Sequence, residues 1–157
     1  MIREIENIKK TRAYLLNSIN SLSVDELNEI PQGFNNNIIW NLGHMVAAQQ
    51  GVCYLRRGAQ LAVEEKYWLN YKPGSKPAEF IDAAEVQAIK DLLFTTLDRL
   101  STDYGRNIFN NYSAWTTRYG TELGSIDDAI RFLPYHEGLH GGTIMVMIKL
   151  VTKHETI

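Results

Sequence analysis

The stretch F132-L-P-Y-H-E-G-L-H-G-G-T-I-M-V-M147 carries the periodicity from which the rest of the chain is read. Together with its flanks, it places Ile126, Ile130, Leu133, His140, Ile144, Met147 and Val151 three or four residues apart. That spacing puts them on one face of an α-helix. Ser125 and Asp128 have capping-box spacing at its start, so the helix is expected from Ser125 to about Val151. His136 lies one turn before His140 and faces the same way. The stretch is poor in helix formers. Pro134 removes a backbone hydrogen bond, and Gly138, Gly141 and Gly142 follow it. A helix kept despite such residues implies a local requirement, either a kink or a close approach.

Three further segments have helical periodicity. Residues 2–22 carry Ile5, Ile8, Tyr14, Leu15, Ile19 and Leu22 as an apolar face. Residues 37–57 are apolar on nearly every side, which implies deep burial, and Gly58 follows as a stop. Residues 82–102 carry Val86, Ile89, Leu92, Leu93, Leu97 and Leu100. Ser23 opens a short helical turn that Pro31 and Gly33 end. The links 58–80 and 103–124 read as irregular, with an extended piece at Ala114–Tyr119. The first link is long enough for a crossover between the second and third helices. The expected fold is therefore all-α, a four-helix bundle forming a single domain over 1–157.

Composition narrows the function. The chain is 45% hydrophobic and 22% charged, with formal net charge −2. No Lys/Arg cluster exceeds a pair, so nucleic acid is not expected as a partner. No apolar run approaches the roughly 18 residues of a membrane span. The charged N-terminus lacks a signal core. A single cysteine, Cys53, precludes an internal disulfide. The expected location is the cytoplasm.

The histidines carry the chemistry. His44 shares a face with Trp40, Ala47, Ala48 and Gly51, small residues that admit a neighbouring helix. If that neighbour is the last helix, His44, His136 and His140 make a three-imidazole metal site with open positions. Zinc, nickel, iron and copper all accept imidazole. A satisfied core histidine is the plainer reading of His44 alone. His154 reads as solvated, and Cys53 lies too far along its helix to share the ion. His136-Glu137-x-x-His140 also matches the zinc-peptidase pattern, but Val146 stands where a third histidine would be, and no cleft strand is evident. Glu137 then serves as a solvent contact, an orienting group for a ligand, or an outer helix contact. Arg56, Arg57, Arg118 and Arg131 read as surface charges or carboxylate partners. Trp40, Trp115 and Tyr135 read as packing or pocket walls.

I38-I-W-N-L-G-H-M-V46 and H136-E-G-L-H-G-G-T-I144 resemble the second-helix and last-helix motifs of the DinB/YfiT-like superfamily. Gly142-Thr143 departs from the usual Gly-Gln after the last histidine. The resemblance implies an up-down-down-up bundle, often a homodimer. It implies a divalent metal such as zinc or nickel on His44, His136 and His140. Activities in that superfamily include thiol-dependent S-transfer, which implies a small thiol and a small-molecule electrophile as partners. Three readings stay open: a metal-dependent transferase or hydrolase, a bundle in which the metal is only structural, and a metal-free helical interaction protein.

Overall fold

The computed structural model describes residues 1–152, apart from the Arg57 side chain; His154 lies outside the described residues. The chain is mostly helical. Its helices are α1 (Ile2–Ser18), α2 (Val24–Asn28), α3 (Ile38–Gln49), α4 (Glu65–Tyr71), α5 (Ala83–Gly105) and α6 (Ile126–Val151). Two two-residue strands, β1 (Trp115–Thr116) and β2 (Glu122–Leu123), pair antiparallel. α1 packs on α5 and α6, and α3 packs on the same two helices.

Local chemistry sets these boundaries. Asn37 starts α3 by accepting from the Trp40 backbone N–H at 2.8 Å. Ser23 and Glu26 form a capping box at α2. Ser125 Oγ accepts from the Asp128 N–H at 3.2 Å, as the spacing predicts. α3 does not run unbroken to Arg57. It widens into a π turn at Gln50–Tyr54, tightens into a 3₁₀ turn at Leu55–Arg57, and ends at Gly58 in the left-handed region.

Three expectations are corrected. The first helix stops at Ser18, and Tyr14 is 62% exposed rather than on the apolar face. Its place in the stripe belongs to Arg12, which is fully buried between Ile8 and Leu15. The link 58–80 is not irregular throughout, since it contains α4. The glycines of α6 do not mark a close helix crossing. A Cβ at Gly138 or Gly142 would meet nothing within 4 Å, and at Gly141 only Leu15 at an ordinary 3.6 Å. The close approaches are on α3, where a Cβ at Gly43 would lie 2.5 Å from the Tyr71 ring and one at Gly51 would lie 2.8 Å from Trp68. Both partners belong to α4, so the absence of these two side chains is what seats that short helix.

The core is two apolar clusters. One centres on Leu15, Ile19, Leu42, Met45, Leu93 and Met147, the other on Ile5, Ile8, Leu97, Leu100, Ile130 and Leu133. Between them along each long helix sits a buried polar residue: Arg12 on α1, Gln49 on α3, Thr96 on α5 and Glu137 on α6. Arg12 Nη2 donates to Glu137 Oε1 at 2.6 Å, and Arg12 Nη1 donates to the Leu93 carbonyl at 2.7 Å and to Gln49 Oε1 at 3.3 Å. Gln49 accepts from the Thr96 hydroxyl at 2.9 Å and donates to the Thr96 carbonyl. A buried guanidinium is tolerable only when its donors are matched and its charge is countered. Both conditions are met here, and all four long helices contribute.

Candidate metal centre

α3 presents His44 and α6 presents His136 and His140 to the same point. One ring nitrogen from each lies within 4.8 Å of those of the other two. The ring centroids are 5.2 Å apart for His44 and His136, and 4.6 Å for each other pair.

Backbone and side-chain acceptors fix two of the rings. His44 Nδ1 lies 2.6 Å from the Tyr71 carbonyl, which can only accept, so this nitrogen carries the proton. Trp40 stacks on the His44 ring at 4.8 Å, 10° from parallel. His140 Nδ1 lies 2.8 Å from Asn41 Oδ1. The Asn41 amide nitrogen already donates to the Asn37 carbonyl and Asn36 Oδ1, so its oxygen must be the acceptor toward His140. His44 and His140 therefore each offer Nε2 as a lone pair. His136 Nδ1 is buried and meets no hydrogen-bond partner among the described residues.

Burial holds the rings neutral. It pushes His136 down to about 3, aided by the neighbouring His140 and His44. It pushes His140 down to about 4 and lowers His44 as well. Neutral imidazoles, two held by an acceptor behind Nδ1 and one with an unpaired buried nitrogen, are a donor set that fits a divalent cation.

Glu137 takes no part in this cluster. Its carboxylate is 2% exposed and faces Arg12 in the core, so none of the three expected uses describes it. The catalytic carboxylate of the zinc-peptidase pattern is thus turned away from the histidines. Cys53 is fully buried, with its thiol pushed up to about 12 by desolvation.

The histidines open onto a cavity of about 840 Å³. Trp40 and Trp115 line it, as do Arg56 and Arg118. Tyr135 and Arg131 do not, and line a separate depression with Asp128. Trp68 also lines the cavity, brought there by α4. The sequence carried signals for what was missed: a charged residue in the α1 stripe slot at Arg12, and an otherwise unfavourable glycine inside α3 at Gly43. The role of Asn41 left no such mark.

The chain belongs to the DinB superfamily, whose family model matches residues 7–144. It is also similar in fold to a conserved protein from Enterococcus faecalis solved by crystallography. The two share 14% sequence identity and a TM-score of 0.62, with 94% of each chain covered. Comparison with curated proteins gave no match. The three-histidine cluster and this membership fit a metal-binding protein. No helix among the described residues is long and apolar enough to cross a membrane.

Proposed function

We propose that this protein is a divalent-metal-dependent enzyme of the thiol S-transferase or hydrolase type, with zinc or nickel held by His44, His136 and His140. The observation that carries the reading is the convergence of three neutral imidazoles on the floor of a cavity large enough for a small organic molecule. A structural ion needs no such cavity beside it. When bound, the cation supplies Lewis acidity and favours the anionic form of a thiol or water.

The chain's own residues do the remaining work. The Tyr71 carbonyl and Asn41 Oδ1 keep the His44 and His140 rings oriented. Trp40 closes one side of His44 and excludes water there. The cavity walls hold the second reactant near the histidines. The reading carries with it an up-down-down-up four-helix bundle over 1–157, acting as a homodimer in the cytoplasm. The α1 and α3 contacts with α5 and α6 support the bundle.

Metal content by inductively coupled plasma mass spectrometry tests it. Untagged wild-type protein should hold about one divalent ion per chain, and the His136→Ala/His140→Ala variant should hold none. No ion in either, after incubation with zinc and nickel, would overturn the reading. Screening small thiols with electrophiles, and ester or amide substrates, then separates transferase from hydrolase.

A further inference from the structure

The histidine cavity also has a charged wall. Among the described residues its lining contains Arg56 and Arg118 and no Asp or Glu. Elsewhere several cations find partners: Lys9 pairs with Glu6 and Asp98, Lys66 with Glu85, Arg99 with Asp103, and Arg131 with Asp128. Arg56 and Arg118 have no ion pair and no side-chain hydrogen bond among the described residues. Arg56 is nevertheless placed, its guanidinium 4.0 Å from the Trp115 ring centroid. Arg118 is near enough for its charge to act on His44.

Two unpaired guanidiniums on a concave, tryptophan-rich wall concentrate positive potential where a ligand must enter. The guanidinium fork matches the planar oxygens of a carboxylate or phosphate. Tryptophan faces give such an anion an apolar bed for the rest of its body. Both arginines are exposed, but they line the histidine cavity, and Arg56 lies over the Trp115 ring.

We propose that Arg56 and Arg118 form an oxyanion-recognition wall, so that the molecule taken by this site is a small anion, a carboxylate or phosphate ester, on an apolar body. The proposal rests on the cavity being a substrate site. The arginines, however, hold the anion whether or not metal is present, and this makes the two readings separable.

All three tryptophans of the chain line the cavity, so intrinsic fluorescence reports its occupancy. Cyclohexanecarboxylate, cyclohexyl phosphate and the neutral cyclohexanecarboxamide are optically silent probes. Each is titrated into metal-free and zinc-loaded protein, with calorimetry as a second readout. At least one anion should bind about tenfold or more tightly than the amide in both metal states. The tighter of the two identifies the oxyanion. Arg56→Gln/Arg118→Gln should bring the ratio to about one, with unchanged zinc stoichiometry and melting temperature. Arg56→Lys/Arg118→Lys should keep part of it.

Equal binding of anions and amide by wild type would overturn the proposal. So would an anion preference that survives the double Gln variant, or one seen only with zinc and lost in His136→Ala/His140→Ala, because the metal would then be the anion's partner. An anion preference in protein that binds no zinc would leave the arginine wall standing and remove the metal reading.

Discussion

Arg12 and Glu137 are 125 residues apart in sequence and 2.6 Å apart in the core. The pair joins α1 to α6 one residue away from His136. Removing one partner strands a buried charge, which typically costs about 3–5 kcal/mol. Arg12→Met and Glu137→Leu should each lower unfolding stability by about that amount in urea titrations. The double variant should recover most of the loss, because an apolar pair fills the same space. A single variant within about 1 kcal/mol of wild type would mean that water reaches the pair.

Asn41 orients His140 through the ring nitrogen that faces away from the cluster. Losing such an acceptor typically weakens metal binding by about 10–100-fold. Asn41→Ala should show that loss in zinc competition titrations, and Asn41→Asp, which keeps an acceptor, should regain much of it. Equal zinc affinity in wild type and Asn41→Ala would show that helix packing alone holds the ring.

Metal-free protein should lose stability in acid partly through the histidines. Their folded pKa values, about 3 for His136 and about 4 for His140, lie below the unfolded value near 6.5. Between these limits the unfolded chain binds protons that the folded chain refuses. The stability is therefore fully present above about pH 6.5 and is lost as pH falls toward 4 and 3. Comparing urea midpoints at pH 7 and pH 4.5 checks the sign. The fall should be smaller in His136→Gln/His140→Gln, and an identical fall would assign the acid sensitivity to other groups.

Glycines on the two histidine-bearing helices should respond in opposite ways. Gly138 and Gly142 have helical backbone and open space beside them, so Gly138→Ala and Gly142→Ala should each stabilise by up to about 1 kcal/mol. Gly43→Ala would drive a methyl into the Tyr71 ring and should cost about 1–3 kcal/mol. Because the Tyr71 carbonyl holds His44, that variant should also lose zinc affinity. Thermal melts with and without zinc separate the two effects.

The helical character and the inward facing of His44, His136 and His140 were legible in the sequence, because apolar periodicity fixes which faces turn inward; that the two helices meet was implied by the family resemblance. The polar layer was not. Arg12 interrupts an apolar stripe at the spacing of a core residue, and a periodicity count skips a charge there in favour of Tyr14. Glu137 was obscured by the motif it sits in. Read as half of His-Glu-x-x-His it belongs with the metal, whereas Leu133 and Ile144 on the same face place it in the core. α4 was hidden because a seven-residue helix carries too few turns to show a period, and its position depends on two missing side chains on another helix.

The π turn at Gln50–Tyr54 separates the part of this segment that bears His44 from the part that bears Arg56. A π turn accommodates one residue more than an α turn, so the chain on its C-terminal side is rotated about the axis relative to the chain on its N-terminal side. Loss or gain of a single residue there would swing Arg56 around the axis while leaving His44 on its helix. One short indel is thus a route by which descendants of this chain could exchange what they recognise and still keep the same three histidines.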